Sequence, residues 1–252
     1  MKHIFLNKFE NGTFIVEKEK FHHLYNVLRI RDKDEKINVI FENKIYITEI
    51  IKIENERYFL KPLNYKNLIL PKIKIDLLLS NIDFDNLKLI VEKISEIGIS
   101  NLYLFKSLFS NINFYDEKKI DKLKKISYLA CEQSGNPFPL NIYQLKNIDN
   151  FDFEDYKLKF ILYEKKDINI KFLSINDIIK ISQEIKYNNS NDKKNESKNK
   201  ILFLIGPEGG FDKKEFDFFY NLNFYPINLG ENILRCETAA ISFSFLLKFI
   251  FS

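Results

Sequence analysis

Apolar and polar positions follow one rhythm up to about residue 60 and a different one from Ile73 onward. In the front section short apolar runs recur at Lys2 to Leu6, Thr13 to Glu17, Ile37 to Phe41, Lys44 to Ile53 and Arg57 to Leu60. Polar turns separate them: Asn11-Gly12 is a hairpin signal between the first two runs, and Glu42-Asn43 and Glu54-Asn55-Glu56 divide the later ones. Lys20 to Leu28 has helical spacing, with Phe21, Leu24, Val27 and Leu28 on one face. Short strands this close together predict a small barrel, and Pro62 through Pro71 reads as the linker out of it.

Strands then alternate with longer helical stretches, which predicts βαβ units and an α/β domain. Ile73 to Ser80 is a nearly continuous apolar run, as in a strand buried on both faces. Leu87, Ile90, Ile94 and Ile97 follow at helical spacing, with Gly98 placed to end the helix. Asn101 to Phe105 is a second strand. Asp116 can cap a helix bearing Ile120, Leu123, Ile126 and Ala130 that ends at Gly135, and Leu158 to Tyr163 is a third strand. Residues 186–200 contain almost nothing able to enter a core and are expected to be a flexible surface insertion.

Two glycine turns follow. Ile201 to Ile205 is an apolar strand that stops at Gly206-Pro207-Glu208-Gly209-Gly210, and a helical stretch (Lys213 to Leu222) comes next. Phe224 to Leu229 is another strand, stopping at Gly230 before a final helix, Glu237 to Phe251. Strand, glycine turn and helix together present backbone N–H groups to a ligand at the carboxyl ends of strands. The loops have neither the Gly-x-Gly-x-x-Gly spacing of dinucleotide folds nor the Gly-Lys-Ser/Thr ending of a P-loop. They suit neutral or carboxylate acceptors, such as those of an adenosyl amino acid. The last helix is apolar nearly all round and too short to span a bilayer. One face can pack on the sheet and the other on a second copy, which predicts a symmetric dimer.

Composition adds exclusions. Cys131 and Cys236 are too few for a disulfide framework and lack metal-ligand spacing, so a reduced, cytoplasmic protein without a metal is expected. Lys2, His3, Asn7, Lys8 and Glu10 interrupt any opening hydrophobic region, so no signal peptide or membrane segment is expected. Net charge is only +4, with a basic surplus of three in residues 1–66; that permits a polyanionic partner without establishing one.

Five motifs in order resemble the RsmE family, the small-subunit (16S) ribosomal RNA uridine-N3 methyltransferases of the SPOUT superfamily. They are His22-His23-Leu24-x-x-Val27-Leu28-Arg29, Glu92 to Gly98, Ala130-Cys131-Glu132-Gln133-Ser134-Gly135, Gly206 to Phe211, and Leu229-Gly230-x-x-Ile233-Leu234-Arg235-x-Glu237-Thr238-Ala239. The resemblance implies an N-terminal PUA-like RNA-binding β-barrel, residues 1–66. A C-terminal trefoil-knotted α/β SPOUT methyltransferase domain, residues 72–252, would follow and form a homodimer. It implies S-adenosyl-L-methionine held by Ile205, Gly206, Pro207, Glu208, Gly209, Gly210, Leu229, Gly230, Ile233, Leu234, Arg235 and Thr238. Arg235, Glu132 and Gln133 would be the catalytic set, and His22, His23, Arg29 and Arg31 would contact 16S rRNA of the small ribosomal subunit. Structural alternatives stand beside these: an ion pair of Arg235 with Glu237 or Glu208, a helix cap for Thr238, and packing for the two histidines.

Methylation at uridine N3 makes its own demands. The base must be unpaired or flipped out, its N3 proton must leave, and the resulting anion needs donors or a cation nearby. The chain departs from the family where His3, Phe109, Asn136 and Asn232 stand in place of arginines. That motivates two other readings: a ribosome-binding protein with weakened catalysis, and a methyltransferase for another RNA uridine.

Overall fold

The structure, a computed structural model, describes residues 2–27, 29–164, 170–191 and 199–251, with backbone only for 186–191. These fall into two compact units: Met1–Leu70 with Cys131–Pro137, and Pro71–Ala130 with Phe138–Ser252.

The first unit contains β1 (Lys2–Phe5), β2 (Phe9–Glu10), β3 (Thr13–Val16), α1 (Lys18–His22), β4 (Lys36–Phe41), β5 (Lys44–Glu54) and β6 (Arg57–Asn67). They form one sheet in the order β1-β4-β5-β6-β3-β2, antiparallel except for the β1–β4 pair. Three two-residue turns, Asn11-Gly12, Glu42-Asn43 and Asn55-Glu56, have positive φ at both positions, the geometry that matches strand twist in tight hairpins. Ile4 near one edge and Phe14 and Val16 near the other share a single apolar cluster with Leu24 and Tyr58, so the sheet curls around one core.

Three expectations are corrected here. The Asn11-Gly12 hairpin joins β2 to β3, whereas β1 pairs in parallel with β4. A two-residue turn can pair only the residues beside it, and Lys2 to Leu6 lies too far upstream. The expected linker from Pro62 is instead strand: β6 continues to Asn67, opposite Lys44. Pro62 is accommodated at an irregularity in the β5–β6 register, where its missing N–H costs least. The front helix changes form, with α1 giving way to a π-type turn over His23–Val27. The wider turn rotates Val27 out to 64 % exposure while Phe21 and Leu24 stay buried. Leu28 lies outside the described residues.

The second unit contains β7 (Lys74–Ser80), α2 (Phe84–Ile97), β8 (Asn101–Phe105), α3 (Glu117–Ser134, its end grouping with the first unit), β9 (Asn141–Gln144) and β10 (Leu158–Leu162). Then come α4 (Ile175–Asn191), β11 (Lys200–Ile205), α5 (Lys213–Asn221), β12 (Tyr225–Ile227) and α6 (Cys236–Phe251). All strand pairs are parallel, in the order β12-β10-β11-β7-β8-β9. The central strands β7, β10 and β11 are buried along nearly their whole length, which explains their unbroken apolar sequence. Asp83 caps α2 by accepting from the N–H groups of Asp85 and Asn86, and Gly98 ends it at φ +91°. The backbone of α4 is helical through Asn191, so the expected insertion begins later than residue 186; residues 192–198 lie outside the described residues.

The chain walks outward through β7, β8 and β9, crosses back to place β10, and inserts β11 between β10 and β7. Strand order therefore reverses at the β7–β11 pair, the position where open α/β sheets bind ligands beyond their carboxyl ends.

At the opposite, amino ends of the strands Asp76 is fully buried. It accepts from Tyr156 Oη–H (2.8 Å) and Asn101 Nδ2–H (2.9 Å). Burial pushes its carboxyl up, opposed by those hydrogen bonds and by Lys200. A carboxyl held above its unfolded value of about 3.9 stabilises the fold fully below that pH, and the contribution is lost as pH rises through the folded value. Asp76→Asn lacks this titration. The wild-type Tm minus the variant Tm is therefore expected to fall as pH is raised from the acid side; thermal melts showing a flat or rising difference would disprove it.

Candidate active site

The site is built from the loops after β10, β11 and β12. At the end of β11 a Cβ on Gly206 would come within 2.9 Å of the Phe211 ring, itself buried at 1 % exposure. Only glycine lets the chain fold Phe211 beneath the loop. Gly210 has φ +72° and its N–H donates to the Pro207 carbonyl at 2.9 Å, closing the turn. Asp212 and Glu215 then form a reciprocal capping box that starts α5. Glu215 also accepts from Ser107 Oγ–H (2.9 Å) and the Leu108 N–H (2.8 Å), fastening the segment after β8. In the second loop Gly230 has φ +134° and donates its N–H to Asn228 Oδ1 at 2.9 Å.

The two loops face one cavity of about 620 Å³, within the range of about 300–1,000 Å³ usual for small-molecule sites. Of the residues expected to hold a cofactor, Ile205, Gly206, Pro207, Glu208, Gly209, Gly210, Leu229, Gly230, Ile233, Leu234 and Arg235 line it. Thr238 does not: it is exposed in the first turn of α6. Nor is it the helix cap. The Arg235 carbonyl accepts from the Ala239 N–H (2.9 Å), which makes Arg235 the residue at which α6 begins.

Charge in the cavity is lopsided. Among the described lining residues Glu164, Glu208, Glu231 and Glu237 are acidic and Arg235 is the one cation. The Arg235 side chain is 86 % exposed, its guanidinium 3.9 Å from Glu237 at the limit of an ion pair. Glu208 accepts from Asn86 Nδ2–H at 3.3 Å. Cys236 is buried and its thiol donates to the Gly206 carbonyl at 3.6 Å. Burial, then Glu237 and Glu208, pushes that thiol up to about 12, so it stays protonated and serves the loop rather than acting as a nucleophile. Ile233 (81 % exposed) and Leu234 supply an apolar wall.

Glu132 and Gln133 are not among the lining residues. They fall in the first unit, where Glu132 Oε1 accepts from the Phe5 N–H at 2.9 Å and lies 3.4 Å from Lys20 Nζ. Also in that unit, His22 is exposed, 3.7 Å from Glu56, and His23 is half-buried. Arg29 and Arg31 are exposed there, the latter over the Tyr25 ring. Asn86, Leu162, Tyr163 and Glu164 line the cavity unforeseen. Their sequence signal is confined to the position of Tyr163 and Glu164 at the end of an apolar strand.

A parallel sheet with paired glycine loops at its carboxyl edge, preceded by a small curled sheet, is matched by the family models of a two-part RNA methyltransferase. Residues 70–248 match the RNA methyltransferase domain and residues 16–63 the RNA methyltransferase PUA domain. The chain is 27% identical over 243 residues to the ribosomal RNA small subunit methyltransferase E of Mesomycoplasma hyopneumoniae, covering 96% of each chain. It is 29% identical over 240 residues to methyltransferase E 2 of Borreliella burgdorferi, covering 91% of this chain and 89% of that one. Its fold is that of the Neisseria gonorrhoeae ribosomal RNA small subunit methyltransferase E bound to S-adenosyl methionine (TM-score 0.71, 23% identity, 97% and 95% covered). The chain belongs to the RsmE family of RNA methyltransferases. Among the described residues no helix is long and apolar enough to cross a membrane, and no cluster of His, Cys, Asp and Glu is placed to hold a metal ion.

Proposed function

We propose that this protein uses S-adenosylmethionine to methylate N3 of a uridine in 16S ribosomal RNA of the small subunit. Residues 1–66 would serve as the RNA-binding barrel and residues 72–252 as a knotted catalytic domain. The observation that carries this reading is a cavity whose described lining holds four carboxylates and one arginine, under two loops pared to glycine. Four carboxylates favour a cationic ligand, one guanidinium can meet a ligand carboxylate or a developing anion, and the loops permit close backbone approach. Bound there, S-adenosylmethionine supplies an activated methyl on a positively charged sulfur.

The chain's own part is positioning and electrostatics. Glu164, Glu208 and Glu231 offset positive charge, while Ile233 and Leu234 offer apolar surface to the ligand. Arg235, exposed at the rim, is the group proposed to stabilise charge spread over O2, N3 and O4 of the target base once its proton leaves. Glu132 already accepts from a backbone N–H, which leaves it and Gln133 proposed as contacts to the target base or as residues that order the dimer. His22, His23, Arg29 and Arg31 are proposed as RNA contacts of the barrel, which suits their polar character and surface positions.

The deciding experiment combines calorimetry with S-adenosylmethionine, a labelled-methyl assay on small subunits, and mass-spectrometric mapping of the modified nucleotide. Cofactor binding with transfer to uridine N3 is expected. Binding without transfer would favour a ribosome-binding protein with weakened catalysis, and a mark on another RNA would change the substrate.

The proposed homodimer would use the outer face of α6, where Phe245 (62 % exposed) and Phe249 (72 %) stack at 6.3 Å beyond the buried Phe243 and Leu247. Phe245→Glu is expected to yield monomers in light scattering with the melting transition retained; an unchanged mass, or a wild-type monomer, would refute it.

A further inference from the structure

Away from the cavity, three lysines converge on one aromatic ring. The ammonium groups of Lys119, Lys88 and Lys122 lie 5.3, 5.8 and 5.9 Å from the centroid of Phe84. Phe84 and Lys88 stand one turn apart in α2, and Lys119 and Lys122 one turn apart in α3, so the two helices bring them together. The ring is half-buried and braced by Tyr115, with centroids 5.9 Å apart. Asp85 is a carboxylate at the cluster, 2.6 Å from Lys88, with its side chain 82 % exposed. Lys88, and more weakly Lys122, hold it below the usual carboxylate range. Nearby Asp121 pairs with Lys124, and Asp116 is occupied in capping α3 through the Lys119 N–H. Asp83, the exposed N-cap of α2, stands beside the ring as well, so what sets the cluster apart is three ammonium groups converging on one ring and not a surplus of charge.

The position adds meaning to the charge. Asn86 sits between Phe84 and Lys88 in sequence and, two residues from each, on the opposite side of the first turn of α2. From there it donates to Glu208 at the cavity. The lysine cluster therefore lies one helix diameter, about 10 Å, from the cavity lining. The described lining of the cavity sets four carboxylates against one arginine and so disfavours phosphate; a nucleic-acid strand delivering a base there needs its backbone held outside.

We propose that Lys88, Lys119 and Lys122, gathered around Phe84, form a backbone-phosphate contact for the RNA strand whose base enters the cavity. This rests on the reading of the cavity as an RNA methyltransferase site. Flexible ammonium groups on a hydrophobic ring are point charges without base-reading geometry, so the contact is indifferent to sequence and sets affinity and register.

The test uses the full chain with Lys88→Gln, Lys119→Gln and Lys122→Gln combined, against protein-free 16S rRNA. Affinity is expected to fall at least about tenfold near 0.1 M salt, and the plot of log affinity against log salt to become shallower by about 2, from three contacts at about 0.7 each. KM for RNA should rise with kcat and S-adenosylmethionine affinity held, and the triple Lys→Arg variant should restore binding. A control removing Lys118, Lys124 and Lys125 takes the same charge from the same helix outside the cluster, and should stay near wild type. A cluster variant with wild-type affinity and slope, or a control weakened equally, would overturn the assignment while leaving wild-type methyl transfer intact. A wild-type chain that binds neither RNA nor cofactor would overturn the methyltransferase reading with it.

Discussion

Arg235→Ala is expected to lower methyl transfer to small ribosomal subunits by about 10²–10³-fold, the usual cost of removing one group that stabilises a developing anion. The fold should be untouched. The side chain is 86 % exposed, and what Arg235 contributes to the start of α6 is its carbonyl, which accepts from Ala239 and survives the substitution. Melting curves should therefore overlay. Arg235→Lys keeps the charge but loses the planar fork, so it should recover only part of the rate. Single-turnover kinetics at saturating cofactor make the measurement. Near-normal transfer in the alanine variant would remove Arg235 from the mechanism and leave its 3.9 Å approach to Glu237 as its role.

Gly206→Val is expected to reduce S-adenosylmethionine affinity by at least about 100-fold, near 2.7 kcal/mol. Even a single added carbon would lie 2.9 Å from the Phe211 ring, and that ring is packed with Phe219 in the core beneath the loop. The ring cannot retreat without opening its own packing, so the loop must lift instead. Overpacking of this kind costs about 1–3 kcal/mol of stability, so the variant should melt earlier yet still fold. Calorimetry on the folded variant is the check. Affinity within threefold of wild type would mean that this loop does not touch the ligand.

Much of the candidate site was legible because glycine requirements are local. Gly206, Gly210 and Gly230 are demanded by a ring contact or a positive φ within a few residues of chain, and such demands leave a mark at a fixed place in the sequence. The boundaries of β7, α2 and β11 were legible for a similar reason, since continuous apolar runs, the Asp83 cap and the Gly98 stop act over one turn or strand. Asn86, Tyr163 and Glu164 left no such mark. They reach the cavity because α2 begins beside the Gly206 loop and β10 lies next to β11, and neither adjacency follows from residue order. Nor did β9 and α4 stand out. One is four residues long, and the other runs into a polar stretch of sequence that carries no apolar period.

Taken alone, the sequence determined the change from short hairpins to βαβ units, the two glycine turns and the apolar last helix, all set by interactions among near neighbours in the chain. The tertiary structure decided what no local rule carries: that β11 enters between β7 and β10, that eleven of the residues expected at the cofactor line one cavity while Thr238 does not, and that Glu132 is held by the Phe5 N–H. Strand order in a parallel sheet depends on crossovers tens of residues long, whose packing is chosen by the whole core. Residues that meet through it are therefore neighbours only after folding.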